Sequence, residues 1–368
     1  MDRSDRRPTR IARPRIALIG SCRDPFGMPG DGLVTALARE CDLVHIDAVS
    51  PCRQALRVYR QAAQAVRFGT ELVHVLDPRF APVAAMLGDR LGVPVSVTLS
   101  ARDMRSRSPL AQLGRRAIRR LDQAFTSEML AVHAIRDTMP GLEVSLVRPA
   151  ARELPPPLER HTGAVARALR GVVPGRPVLG LLWPDNRNDL RWFRDIVLPQ
   201  LDANPLCLLI GAPSQREARL AVRVAGLKSE FRVLSGRLDA PMLAAVARCV
   251  DAFVSPASLR RGPGDAVTGM TLALAVGGVP VVSDGRAEAA VLAHERNAFL
   301  VDRGDEREFA STLNRLLALP AIQRHFLGEE FARFTLSEWP WSAAAVVYAE
   351  RFASLVGRPQ IPADLRAA

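Results

Sequence analysis

Several residue types able to do chemistry occur along the chain, but few have the spacing for it. Pro29-Gly30-Asp31-Gly32 follows an apolar run, Arg15 to Gly20, and leads into helically spaced Leu33, Val34, Leu37 and Ala38. A glycine turn feeding a helix N-terminus presents backbone N–H groups to a phosphate or a hydroxyl. The same stretch, RIALIGSCRDPFG, lacks the GxGxxG turn of a dinucleotide site, which argues against a dehydrogenase. Cys22, Cys41, Cys52, Cys207 and Cys249 contain no CxxC pair, and the six histidines show no HExxH spacing. Neither a disulfide framework nor a metal centre is expected, nor a resident cofactor. His45 and His74 lie inside apolar strand patterns and read as core residues. Trp183, Trp192, Trp339 and Trp341 read as packing residues. Between Arg102 and Arg120 there are seven arginines against one acid, Asp103.

These residues must be carried by a scaffold of 368 residues, a length that suits two domains. Hydrophobic residues at 48% and charged residues at 24% exclude wholesale disorder. Short apolar runs alternate with helical patterns: RIALIG, LVHIDAV (Leu43 to Val49), ELVHVLD, then APVAAMLGDRLG and VPVSVTLS. After the proline-rich RPAARELPPPLERH the alternation resumes with PVLGLLW, a helix over Leu190 to Leu201 and PLCLLIGA. A helix from Arg216 to Ala225, FRVLSG, a helix from Pro241 to Ala247, DAFVSPA and GGVPVVSD complete it. Strands of this kind predict parallel sheets covered on both faces, an α/β fold of two doubly wound Rossmann-like domains. The expected organisation is a basic tail over 1–14, a first domain over 15–150, a linker region over 151–176 and a second domain over 177–336. Residues 337–368 add a helix returning to the first domain, and a tail. Ligands of such folds bind at the carboxyl ends of the strands, here in a cleft between the two domains.

The net charge of +12 invites an anionic partner. Lys228 is the only lysine, and aromatic residues are 5%, with no aromatic-rich strand among the arginines. No nucleic-acid partner is therefore expected. No apolar stretch reaches membrane-spanning length and the N-terminal residues lack a secretory pattern, so a cytoplasmic protein is expected. LAQLGRRAIRRLDQAF sets Leu110, Leu113, Ala117, Leu121 and Ala124 on one face, read as packing on the sheet, with arginines around the other. Those arginines make Arg102 to Arg120 a candidate for docking peripherally on an anionic membrane.

The run from Phe231 to Val301 carries a resemblance. FRVLSGRLDAPMLAAVARCVDAFVSPAS precedes TLALAVGGVPVVSDG and ERNAFLVDRGD. Together with ELVHVLDPRFAPVAAMLGDRLGVPVSVTLS, NRNDLRWFRDIVLPQL and FARFTLSEWPWSAAAVVYAERF, it resembles the retaining glycosyltransferases of the GT-B fold, family four. The resemblance covers roughly residues 15 to 356 and implies the GT-B fold, with an acceptor domain followed by a nucleotide-sugar donor domain.

It also implies site residues. The family's two motif glutamates, with seven residues between them, fall on Asp265 and Ala273. Asp265 keeps an acceptor for sugar hydroxyls, whereas Ala273 has none for a ribose hydroxyl. The arginine and lysine that normally hold the donor diphosphate are not at the usual offset; Arg187, or Arg260 and Arg261 before Asp265, would supply the charge. On the acceptor side the family's histidine is replaced by Ser100, Asp103 matches, and Gly30 and Gly32 lie in the glycine turn. The expected function is sugar transfer from a nucleotide diphosphate-sugar to a glycan, lipid or small-molecule acceptor with retention. The departing diphosphate assists acceptor deprotonation, so few side chains are needed. The alternative is a non-catalytic glycosyltransferase-fold protein acting as a binding or partner subunit.

Overall fold

The computed structural model describes residues 13–20, 31–48, 56–61, 64, 69–100, 103–104, 109–151, 153–182, 187–212, 231–235, 240–255, 278–283, 292–302 and 304–357. They form two compact units. One contains the described residues up to Val147 together with those from Ser342 onward; the other contains those from Arg148 to Trp341.

The first unit is a six-stranded parallel sheet of β1 (Arg15–Ile19), β2 (Asp42–Ile46), β3 (Leu72–Val75), β4 (Val95–Thr98), β5 (Gln123–Thr126) and β6 (Glu143–Leu146). The strands lie in the order β2-β1-β3-β4-β5-β6. Between them run α1 (Asp31–Glu40), α2 (Ala81–Leu91), α3 (Pro109–Ile118) and α4 (Met129–Thr138). One face of the sheet, with Ala17, Val73, Val75 and Val97, shares a core with Phe80, Leu87, Ile118 and Ile135.

The second unit is also a six-stranded parallel sheet: β7 (Val178–Leu182), β8 (Leu206–Ala212), β9 (Phe231–Ser235), β10 (Ala252–Ser255), β11 (Pro280–Ser283) and β12 (Phe299–Val301). Its order, β12-β11-β10-β7-β8-β9, is that of the dinucleotide-binding doubly wound sheet. Its helices are α5 (Glu159–Ala168), α6 (Arg187–Trp192), α7 (Ala240–Ala247), α8 (Glu306–Ala318) and α9 (Ala321–Glu338). The last helix, α10 (Trp341–Val356), carries the chain into the first unit, where Ala344, Tyr348, Phe352 and Leu355 are buried.

Several expectations need correction. The stretch read as linker holds α5, which starts as soon as the third proline is passed and buries Val165 in the core beside β8. LVHIDAV gives an edge strand rather than a buried one, with Val44 44% exposed. The helix expected over Leu190 to Leu201 is α6 followed by π and 3-10 turns, Phe193–Val197 and Leu198–Gln200. The terminal helix is two, broken at Trp339 and Pro340, where proline lacks the N–H to continue. In the basic helix Gly114 and Ile118 are buried while Leu113 is 52% exposed, and Ala124 belongs to β5. Ala117 and Leu121 do pack on the core as expected, so the packed stripe is rotated from Leu113 toward Gly114, where an added Cβ would lie 3.0 Å from the Pro78 carbonyl oxygen. The helix expected over Arg216 to Ala225 lies outside the described residues.

Candidate functional site

In a doubly wound sheet the ligand crevice opens where the strand order reverses, outside the carboxyl ends. In the first unit that point lies between β1 and β3, which pair in parallel through Ile19 and Val75. Gly20 closes β1 with φ +134°, and a Cβ there would sit 3.0 Å from Leu76 Cβ and 3.2 Å from the Asp77 nitrogen. Only glycine fits. His45 Nε2 lies 3.0 Å from the Gly20 carbonyl oxygen, and the side chain is exposed at this edge rather than buried in the core as its strand context predicted. Across the switch, Asp77 accepts the Arg79 N–H at 2.9 Å and caps the Pro78–Phe80 turn. The same carboxylate takes the Arg79 guanidinium through both oxygens. Asp77 and Arg79 were not singled out in the sequence; the Asp-Pro-Arg turn at a strand end was the available signal.

Ser100 and Asp103 come together just beyond β4. The Ser100 N–H donates to Asp103 Oδ2 at 2.9 Å and the Ser100 hydroxyl donates to the same oxygen at 2.7 Å. The Asp103 N–H donates back to Ser100 Oγ at 3.3 Å. This reciprocal pattern is a capping box, which starts a helical turn by satisfying two orphan donors. Arg115 Nη1 donates to the Asp103 carbonyl at 3.0 Å, tying α3 to that turn. Gly32 lies in the first turn of α1, half-buried; Gly30 lies outside the described residues.

A buried polar chain supports the end of β4. His74 Nδ1 is 2.8 Å from Ser96 Oγ, His74 Nε2 is 3.0 Å from Thr98 Oγ1, and Thr98 Oγ1 is 2.9 Å from the Tyr348 hydroxyl on α10. Phe125 and Phe352 close around the imidazole, with ring centroids 5.5 and 5.1 Å away. Burial strips water from both ionisable groups, lowering the His74 pKa to about 3 and raising that of Tyr348. His74 is thus a neutral core residue, in keeping with its apolar strand.

In the second unit the order reverses between β7 and β10, which pair through Leu181 and Val254. Arg187 is the first residue of α6, the helix after β7; Asp189, in its first turn, is fully buried. Arg260, Arg261, Asp265 and Ala273 follow β10 in the chain and lie outside the described residues, as does Trp183. Trp192 packs edge-on against Phe309, as expected of a packing residue. Among the described residues no three His, Cys, Asp or Glu side chains form a metal-binding group, and no helix is long and apolar enough to cross a membrane.

Both switch strands of the second sheet lie inside one recognisable segment. Residues 178–319 match the family of glycosyl transferases group 1. No curated protein sequence matches the chain. Solved structures resemble it over nearly its whole length. Sucrose-phosphate synthase from Thermosynechococcus elongatus is 16% identical, covering 93% of this chain and 99% of its own, with a TM-score of 0.57. Anabaena HepE in complex with UDP and glucose is 12% identical, covering 92% and 99%, at 0.59. The catalytic domain of starch synthase IV from Arabidopsis thaliana, bound to ADP and acarbose, is 14% identical, covering 94% and 100%, at 0.60. The chain has the GT-B fold, with two Rossmann-like units.

Proposed function

We propose that this protein transfers a sugar from a nucleotide diphosphate-sugar to a glycan, lipid or small-molecule acceptor, with retention, in the manner of the family-four enzymes. The observation that carries the reading is the second sheet's switch point inside the matched segment. Arg187 opens α6, the helix after β7, and in the sequence Arg260, Arg261 and Asp265 follow β10, so the candidate donor residues come after the two strands that meet at the switch point. Arginine there would balance the diphosphate and Asp265 would accept from sugar hydroxyls. HepE and starch synthase IV, which are similar in fold, are seen with UDP and ADP. On the first unit, the Gly30–Gly32 turn and the Ser100–Asp103 turn would face the acceptor. The exposed Leu113, Arg116 and Arg119 of the α3 region would bring the enzyme to an anionic membrane, tested by sedimentation with phosphatidylglycerol against phosphatidylcholine vesicles.

The deciding experiment is a thermal-shift screen with UDP, GDP, ADP, CMP and their sugar conjugates. A nucleotide at about a hundred times its Kd stabilises the native state by roughly 2.7 kcal/mol. The expected result is a shift with one base, lost in Asp265→Ala and in Arg260→Ala/Arg261→Ala. A folded protein with no shift for any of them would leave the second reading, a non-catalytic binding or partner subunit. That reading is favoured by Ala273, which offers no acceptor, and by Ser100 and Asp103, whose polar atoms already serve a helix cap.

A further inference from the structure

The amino-terminal edge of the second sheet, opposite the β7–β10 switch, opens into a cavity of about 440 Å³. Its walls are the turn between α7 and β10, the residues entering β11, and the amino-terminal part of α9. That volume is in the range of small-molecule sites. One side is fixed by Asp251, which accepts the Val178 N–H at 2.8 Å and the Arg324 guanidinium at 2.5 Å. Arg324 also donates to the carbonyls of Leu317 and Leu319, so its charge is fully engaged. On the α9 rim, His325 Nε2 lies 3.3 Å from Glu329 Oε1. Arg248 is the one cation on the lining with no hydrogen bond or ion pair among the described residues.

The surfaces beside it are kept small by Ala247, Gly278, Gly328 and Ala332. Gly328 sits inside α9, where glycine is the poorest residue short of proline. A Cβ there would meet Gly278 Cα at 3.5 Å, an ordinary contact, so the packing does not demand glycine. As glycine it adds no side chain to the lining.

We propose that this cavity is a second ligand site, for a small molecule bearing a single phosphate or carboxylate group held by the Arg248 guanidinium. A guanidinium meets such oxyanions through two parallel hydrogen bonds. With Arg324 neutralised by Asp251, the one free cation among the described residues of the lining suits one oxyanion rather than a diphosphate. The site lies at the opposite edge of the sheet from the nucleotide reading and does not depend on it.

The test uses the full-length ¹⁵N-labelled protein titrated separately with inorganic phosphate and acetate, following the Arg248 Nε–H and the Cys249 and Asp251 amides. Saturable shifts are expected with at least one probe, and the probe that works names the group. Arg248→Ala should weaken binding about tenfold or more, with Arg248→Lys between the two. Ala332→Leu, and Ala321→Leu at the exposed start of α9, should block the cavity; either one that keeps its melting temperature serves as the steric test. Non-saturating shifts, or unchanged affinity in Arg248→Ala or in a folded blocked variant, would overturn the proposal. Nucleotide thermal shifts measured on the same variants should stay unchanged, so failure here is distinct from failure of the donor site.

Discussion

In the first unit, strands β3 to β6 bury His74, Ser96, Thr98, Gln123, Thr126 and Ser145; in the second, no described strand residue that is buried is polar apart from Cys207. The first set is paired within the sheet and with α10: His74 with Ser96 and Thr98, Thr98 with Tyr348, Gln123 Nε2 with Ser145 Oγ at 2.7 Å. Such pairs have one good geometry, so α10 has one good position on the sheet. The second sheet is held by area instead, with Leu179, Leu181 and Val254 on one face and Leu208, Ile210 and Phe253 on the other. The comparison separates buried polar groups that serve the fold from those left for ligands. In the second unit the polar chemistry lies outside the strands.

The largest expected effect is on the aromatic lid of the polar face. Phe352→Ala should cost about 3–5 kcal/mol in urea unfolding, the usual range for a buried phenylalanine. A loss below about 1 kcal/mol would mean that α10 is not seated as described.

Next comes an exchange of nearly isosteric residues that should cost stability in both units for opposite reasons. Thr98→Val leaves His74 Nε2 and the Tyr348 hydroxyl without their partner, at about 2–4 kcal/mol. Val254→Thr places an unpaired hydroxyl in the apolar sheet, at about 1–3 kcal/mol. If Thr98→Val is neutral, the polar chain does not hold α10 and the contrast between the units collapses.

The pH response gives a third distinction. His74 has a folded pKa near 3, below the unfolded value of about 6.5. Its neutral form is favoured by folding, so full stability is present above pH 6.5 and falls as pH drops toward 3. The expected slope in that window is up to about 1.4 kcal/mol per pH unit. His74→Phe should lack this slope; identical pH profiles for the two proteins would show that the imidazole is not buried.

The smallest effect belongs to the strand edge. Ser100→Ala should cost about 1 kcal/mol by removing the cap, measured by thermal melting, and should leave nucleotide binding unchanged. A Ser100→Ala protein of wild-type stability would return this residue to the ligand side of the argument.

Much of the fold was legible because its signals are local. Runs such as RIALI, VLGLL and LCLLIGA read as strands since a parallel sheet needs apolar residues on both faces, and each is a strand. The candidate site was less legible. Asp77 and Arg79 lie at the switch point only because β3 lies beside β1, and Gly20 must be glycine because Leu76, just past β3, closes on it. His45 and His74 sit in similar sequence contexts, yet β2 is an edge and β3 is central, so one is exposed and the other buried.

The order of apolar and polar residues along the chain therefore determined the alternation of strands and helices, and with it the two doubly wound units. Periodicity and proline placement act over a few residues, within reach of a single segment. Tertiary structure alone decided which strands lie at the edge and which helix covers the polar face. It also decided that a cavity opens beside Arg248. Those outcomes depend on pairings between residues up to 250 positions apart, as with Thr98 and Tyr348, and no local pattern encodes which partner arrives.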